Sequence, residues 1–133
     1  MGKFESLIPI LSFKENDNFF VKQAFQGSNS ALVLLVVDTN LKESGYFTTS
    51  RIAKGRETVV GIIEKAKRKK KKAEELIEWG NTKEKIISTA KINGIKTIVL
   101  MKQNNDFFKD IVEGLKANGF DVKILEEPVE TKE

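Results

Sequence analysis

The chain has 133 residues, of which 40% are hydrophobic and 32% are charged, and its net charge at pH 7 is +4. This length is that of one ordinary domain with enough apolar residues for a single core. The sequence contains no cysteine and no histidine. Disulfides, zinc–thiolate sites and a Ser-His-Asp triad are therefore excluded, and we expect no catalytic residues and no metal site.

The sequence lacks the apolar segments that direct a chain into or across a membrane. The longest uninterrupted apolar run, residues 31–37, is much shorter than the ~20 residues that a membrane-spanning helix needs. Residues 1–11 hold one basic residue and no long apolar stretch before a small-residue cleavage site. We therefore expect a cytoplasmic protein without membrane contact.

Short apolar runs alternate with helical patterns along the chain, which is typical of β-α-β units. A first strand is predicted over residues 7–11, with Pro9 near a strand end because proline cannot donate to a sheet ladder. The first helix is capped within residues 16–18 and ends at Gly27. Residues 31–37 are continuously apolar, as in a central parallel strand that is buried on both faces.

A long loop is predicted from residue 40 to about residue 50, a length typical of a variable or functional surface segment. The second helix begins near Arg51 and ends in a basic run, residues 65–72. Its apolar stripe consists of Ile52, Val59, Ile62, Ile63 and Ala66. A third strand over residues 73–79 contains several acids, which favours an edge position.

The second half of the chain repeats this alternation. Asn81, with Glu84 three residues later, predicts the start of a third helix, which ends at residues 93–94. A fourth strand follows over residues 96–101, and Asn104, Asn105 and Asp106 cap a fourth helix that ends at Gly119.

The last predicted strand spans residues 120–126 and alternates apolar with polar side chains. Phe120, Val122 and Ile124 should therefore share one apolar face. Residues 127–133 form an acidic tail that we expect to be disordered.

Five strands alternating with four helices predict an α/β fold with three layers, α/β/α, around a five-stranded parallel sheet. Right-handed crossovers place the helices on both faces of such a Rossmann-like sheet. No linker or repeat divides the sequence, so residues 1–126 are expected to form a single domain.

Several of these segments resemble, in order and spacing, the universal stress protein family over nearly the whole chain. Residues 7–10 resemble its first strand, an apolar run with an internal proline, and residues 31–38 its second, which ends in an aliphatic pair and an acid. Trp79 and Gly80 are similar to its strand-glycine-helix unit, and residues 98–101 to the strand before its phosphate loop. The resemblance implies a fold like that of the adenine nucleotide alpha hydrolases, with strand order 3-2-1-4-5.

The chain departs from this family at the residues that bind ATP. ATP-binding members carry an acid at the end of the first strand, where this chain has Leu11. They also carry a loop of the form Gly-x2-Gly-x9-Gly followed by Ser or Thr. The matching stretch begins at Met101, has Asn104 in the second glycine position and contains no glycine before Gly114. Side chains at these positions would crowd the backbone amides that approach a phosphate.

Other residues of the matching region leave a nucleotide site open as an alternative. Val36 matches the position whose backbone meets adenine in the family, and Asp38 ends a central strand, where ligands bind in open α/β sheets. Lys102 could offer a positive charge to a phosphate. We therefore expect no cofactor, with a degenerate pocket near Leu11, Val36, Asp38, Met101, Lys102, Asn104 and Asn105.

Three functional hypotheses follow from these residues and the resemblance. The first is a non-enzymatic stress-response or regulatory protein that forms a homodimer through the edge of its last strand, at Phe120, Val122 and Ile124. The second is a nucleotide-binding protein with a divergent phosphate loop.

The third hypothesis uses the basic run, whose seven basic side chains in eight positions could bind nucleic acid or another anionic surface. No aromatic residue interrupts residues 65–72, so base stacking has no support there. The run by itself therefore favours a solvated helix end over contact with nucleic acid.

Overall fold

The structure, a computed structural model, describes residues 4–38 and 47–126. The predicted alternation of strands and helices is confirmed within these ranges. The strands are β1 (Ser6–Pro9), β2 (Ser30–Val37), β3 (Lys72–Trp79), β4 (Thr97–Met101) and β5 (Asp121–Leu125). The helices are α1 (Asn18–Ala24), α2 (Phe47–Arg68), α3 (Thr82–Ile92) and α4 (Asp106–Ala117). The predicted acidic tail, residues 127–133, lies outside the described residues.

All five strands are parallel, and the order β3-β2-β1-β4-β5 confirms the order that the resemblance implied. β3 lies at one edge, as its charged side chains predicted, and β5 lies at the other. Pro9 is the last residue of β1, and the pairing of β1 with β4 has already ended at Leu7. The missing N–H of Pro9 therefore costs no hydrogen bond of the sheet.

The sheet separates two apolar cores, which confirms the three layers. Helices α3 and α4 cover one face, where Leu7, Ile98 and Ile111 are fully buried. Helices α1 and α2 cover the other, where Ile8 and Phe20 are fully buried. Because successive residues of a strand point to opposite faces, a continuously apolar strand contributes to both cores.

The boundary of α2 corrects the sequence-based loop. The helix already begins at Phe47, so residues 47–50, predicted as loop, are helical, while residues 39–46 are outside the description. The hydroxyl residues in this first turn favour helix only weakly, and such propensities are readily overridden by tertiary context. The apolar stripe is confirmed further along, because the side chains of Val59, Ile62 and Ala66 are fully buried.

The apolar face predicted for the last strand is only partly buried. Phe120 and Val122 pack against the core under α3 and α4, but Ile124 is 38% exposed. An edge strand has a neighbour on one side only, so its side chains are covered less completely. The first strand and first helix are also shorter than predicted, since α1 ends at Ala24 before the turn in which Gly27 has a φ of 80°.

Candidate functional site

The carboxyl edge of the sheet is the place where this topology can hold a ligand. The chain runs from β1 outward through β2 and β3 and then crosses to β4 on the other side of β1. The order therefore reverses between β1 and β4, and ligands of open α/β sheets bind beside such a switch point. The loops after β1, β2 and β4 border it, and they carry five residues of the predicted pocket, while Val36 and Met101 lie at the ends of β2 and β4 themselves.

The loop after β1 is organised around one buried carboxylate, that of Glu15. Its Oε2 accepts hydrogen bonds from the amides of Leu11 and Ser12 at 3.0 and 2.9 Å. Its Oε1 accepts from the amide of Lys14 at 3.2 Å. Backbone amides that converge in this way form an anion-binding concavity, and here the chain's own side chain occupies it.

The environment of Glu15 acts on its ionisation in two directions. The side chain is completely buried, and this burial raises the pKa of the Glu15 carboxyl above its ordinary value. The hydrogen bonds from the amides of Ser12 and Leu11 lower the pKa, but by less. The carboxyl group of Glu15 is thus held by backbone amides and not by a cation, since no described Lys or Arg forms an ion pair with it.

The same loop is pressed against α2 and contains a strained residue. Phe13 has a φ of 63°, a left-handed conformation that is unusual for an aromatic residue. Its carbonyl accepts a hydrogen bond from Thr58 Oγ1 of α2 at 3.3 Å. A Cβ on Gly61 of α2 would lie 2.8 Å from the Cβ of Asn16, so a glycine is needed for this close approach.

Asp38, at the end of β2, occupies the start of α3 in a similar way. Its Oδ2 accepts hydrogen bonds from the amide and the hydroxyl of Thr82, at 2.7 and 2.9 Å, and both residues are buried. A carboxylate at this position is favoured by the free amides and the dipole of a helix N-terminus. Asp38 therefore links β2 to α3. It also accepts the hydrogen bond of the Thr82 amide, which a bound anion would otherwise use.

The loop after β4 lacks the open backbone of a phosphate loop. No residue from 102 to 113 has a positive φ, so Asn104 does not take the left-handed conformation that a glycine would allow. Asn105 caps α4, with its Oδ1 accepting from the amide of Phe108 at 2.7 Å. One side-chain donor of this loop is unsatisfied: Nε2 of Gln103 is buried without a hydrogen-bond partner among the described residues.

The side chains of the predicted pocket are directed apart. Leu11 belongs to the core under α3 and α4, and Val36 packs against that core. Met101 packs against the opposite core, and its Sδ accepts a hydrogen bond from Ser12 Oγ at 3.3 Å. Lys102, the cation offered to a phosphate, has its Nζ 3.9 Å from Glu126 Oε1, beside β5. The seven residues share an edge of the sheet but do not form one set of ligand contacts.

Sequence reasoning missed Glu15, which organises the loop after β1. No side chain in the sequence identifies its role, because its hydrogen-bond partners are the backbone amides of Leu11, Ser12 and Lys14. Its spacing to Ser12 does match a side chain that folds back on a tight turn, and this was the available signal. Within residues 4–38 and 47–126, no three potential metal ligands lie together, and no helix is long and apolar enough to cross a membrane.

No protein-family model matches the chain, and no curated protein sequence matches it either. Solved structures do match. A universal stress protein from Archaeoglobus fulgidus has 13% sequence identity and a TM-score of 0.63, with 91% of this chain and 97% of that chain covered. The universal stress protein UspA from Lactobacillus plantarum has 14% identity and a TM-score of 0.66, with 96% and 100% covered.

A third match is the universal stress protein from Archaeoglobus fulgidus in complex with dAMP, with 14% identity, a TM-score of 0.59, and 93% and 98% of the two chains covered. Likeness at such low identity is a likeness of fold. The predicted resemblance is confirmed at that level: the chain has the Rossmann-like α/β fold of the universal stress proteins.

Proposed function

We propose that the protein is a cytoplasmic, non-enzymatic regulatory protein of the universal stress type, which acts as a homodimer and does not bind ATP. One observation carries the absence of ATP binding. The backbone amides that would face an anion at the carboxyl edge are already hydrogen-bonded to the carboxylates of Glu15 and Asp38.

A nucleotide would have to displace these internal anions and would meet their negative charge. The structure with dAMP shows that a protein of this fold holds a nucleotide. In this chain the replacement of glycine by Met101 and Asn104 removes the backbone freedom that such a phosphate loop uses. Each lost charge-assisted hydrogen bond removes about 1.5–3 kcal/mol, so several of them weaken binding by orders of magnitude.

We expect isothermal titration with ATP and magnesium to show no binding tighter than a Kd of about 10 μM, equivalent to roughly −7 kcal/mol. The Lys102→Gln variant is the matched control, because Lys102 is the cation that a divergent phosphate loop would use. A Kd below about 10 μM would contradict the proposal, and a loss of that binding in Lys102→Gln would support the nucleotide-binding alternative with a divergent phosphate loop.

The proposed homodimer rests on the free edge of β5. The amide of Asp121 donates to the carbonyl of Lys96, and the amide of Lys102 donates to the carbonyl of Leu125. In a parallel ladder alternate residues face the same neighbour, so residues 121, 123 and 125 face β4. Val122 and Ile124 then direct their N–H and C=O groups outward. No described strand covers this side of β5.

An outward row of backbone groups can pair with the same strand of a second copy, antiparallel across a two-fold axis. Ile124, 38% exposed, would gain cover from such a contact. Asp121 and Lys123 place charges of both signs on the same short strand. Their pairing across the axis would depend on the register of the dimer.

We expect the protein to be a dimer at high micromolar concentration and the Val122→Pro variant to be monomeric. Proline at position 122 removes an outward N–H and leaves the hydrogen bonds to β4 intact. The Val122→Thr variant keeps both the N–H and the side-chain size, and should remain dimeric. Light scattering after size exclusion gives the mass directly. A monomer mass for the unmutated protein would refute the proposed dimer. A dimer mass for Val122→Pro would show that the interface does not use the outward N–H of residue 122.

A further inference from the structure

The topology gathers basic side chains from all four helices at the amino edge of the sheet. Each helix runs antiparallel to the parallel strands, so every helix C-terminus lies at that edge. The last turns of the helices carry Lys22, Lys65, Lys67, Arg68, Lys91 and Lys116. The connection from α2 into β3 adds Lys69, Lys70, Lys71 and Lys72, and Lys96 directly precedes β4. These eleven residues are called the basic edge below.

The cations of the basic edge are almost all without carboxylate partners. Among the described residues, only Lys72 of this set forms an ion pair, with Glu74 at 3.7 Å. Lys71 contacts a neutral amide, with its Nζ 2.9 Å from Asn29 Oδ1. Acids at or beside the same edge include the exposed residues Glu5, Glu74 and Asp121, and Asp17, which lines a pocket with Lys65. The edge therefore keeps a large excess of positive charge.

Three lysines of the opposite, carboxyl edge behave differently. Their ammonium groups lie near carboxylates, in the pairs Lys83–Asp110 at 3.1 Å, Lys85–Glu78 at 3.6 Å and Lys102–Glu126 at 3.9 Å. A net charge of only +4 is thus distributed unevenly over the molecule. The unpaired positive charge is concentrated on one side, where it creates a local field that attracts polyanions.

The helix dipole explains only part of this arrangement. A cation in the last turn is favoured by the helix dipole, which accounts for single lysines such as Lys22 or Lys116. It does not account for Lys69, Lys70 and Lys71, which follow the end of α2. Lys70 also has a φ of 59°, which is unfavourable for a side chain of this kind. Adjacent like charges repel one another, and a bound polyanion would remove that repulsion.

The other side chains at this edge discriminate between polyanions. The exposed aromatic residues Trp79 and Phe107 lie at the carboxyl edge, at the end of β3 and in the first turn of α4. At the basic edge, Phe120 lines a pocket with Lys91 and Lys96, but its ring packs against the core under α3 and α4. No fully exposed ring is therefore described there for stacking the bases of a single strand. A bilayer needs an apolar anchor besides charge for stable attachment. Ile92, 82% exposed, is the only large exposed apolar side chain described at this edge.

Duplex nucleic acid, in contrast, is held without sequence preference by charge alone. Five strands at a spacing of about 4.8 Å make an edge about 19 Å wide. Measured along the helix axis of a duplex, that width covers about five phosphates of one strand, since each phosphate takes up about 3.4 Å of the axis. From these observations we infer that the basic edge binds the phosphate backbone of double-stranded nucleic acid without sequence specificity.

The test uses the full chain and a fluorescent duplex of random sequence, about 24 base pairs long, in anisotropy titrations from about 50 to 200 mM salt. We expect binding at low salt that weakens with salt along a straight line of log K against log salt. The variant with Lys67, Arg68 and Lys69 all replaced by glutamine should bind at least about tenfold more weakly. Its slope should fall by about 0.9 for each phosphate contact that is lost.

Two further triple variants carry the same change in net charge. Replacing Lys54, Lys102 and Lys109, which lie outside the basic edge, by glutamine should change the affinity less than about twofold. Replacing Lys91, Lys96 and Lys116 should weaken binding, because the proposal uses the whole edge. Thermal unfolding confirms that each variant is folded. Equal losses in all three variants, no binding at 50 mM salt, or binding to anionic vesicles but not to the duplex would each overturn the inference.

Discussion

Replacement of Glu15 by alanine is expected to lower the free energy of unfolding by about 3 kcal/mol at pH 7. The change removes the acceptor of the buried amides of Leu11 and Ser12, and each unsatisfied buried group costs about 1–3 kcal/mol. The amide of Lys14 loses less, because it also donates to Ser12 Oγ at 3.0 Å. The alanine variant no longer has to bury a carboxylate, and this gain in free energy offsets part of the loss.

Urea unfolding monitored at a fixed protein concentration measures this difference. Glu64→Ala is the matched control, because Glu64 is exposed on α2 and forms no ion pair in the described part of the chain. That change should stay within about 0.5 kcal/mol. If Glu15→Ala costs no more than Glu64→Ala, then the internal anion does not hold the loop after β1. The proposal that the protein does not bind ATP would then lose its main support.

The pH dependence checks the same mechanism through the Glu15→Gln variant, which does not titrate. Burial raises the native pKa of Glu15, so between the unfolded value, about 4.3, and the native value the folded state binds more protons. The contribution of this group is fully present below the unfolded pKa and is lost as pH rises through the native pKa. The stability of the unmutated protein relative to Glu15→Gln should therefore fall as pH rises from about 4. A relative stability that grows with pH would contradict the raised pKa.

The order and type of the elements could be predicted because their signals are local. Asn81 and Asn105 cap α3 and α4 with their side-chain oxygens, at 2.9 Å from Glu84 N and 2.7 Å from Phe108 N. Gly94 and Gly119 take the positive φ expected just past a helix end. The strand order needed the resemblance as well, since alternation alone leaves the placement of parallel strands open.

The candidate site could not be predicted to the same extent, because its contacts join residues that are distant in sequence. Asp38 and Thr82 are 44 positions apart, and the sequence shows neither that they meet nor that α3 begins at the end of β2. Lys102 and Glu126 are also far apart in sequence, and only the pairing of β4 with β5 brings their side chains together. The gathering of lysines at the amino edge likewise follows from the topology and not from the basic run alone.

The two edges of the sheet therefore differ in how their charges are satisfied. At the carboxyl edge, buried carboxylates such as Glu15 and Asp38 are held by the chain's own amides. At the amino edge, exposed lysines are left to solvent or to a partner. Under the proposed function, the contacts of the protein are made away from the carboxyl edge, through β5 and through the basic edge.

Replacement of Asp38 by alanine is the second change with a large expected effect, a loss of about 3 kcal/mol in the free energy of unfolding. It leaves the amide and the hydroxyl of Thr82 buried without this acceptor and removes a negative charge from the start of α3. Thr82→Val removes only the hydroxyl contact and should cost about 1 kcal/mol. Urea unfolding of the single and double variants measures both losses.

The double variant separates this contact from general disruption of the loop. Because both hydrogen bonds end on the same carboxylate oxygen, the combined loss should be smaller than the sum of the single losses by about 1 kcal/mol. Asp110→Ala is the surface control: its side chain is 63% exposed, and its ion pair with Lys83 should contribute less than about 1 kcal/mol. Strictly additive losses, or an Asp38→Ala loss no larger than that of Asp110→Ala, would show that Asp38 does not join β2 to α3. The start of α3 would then be free to hold an anion from solution.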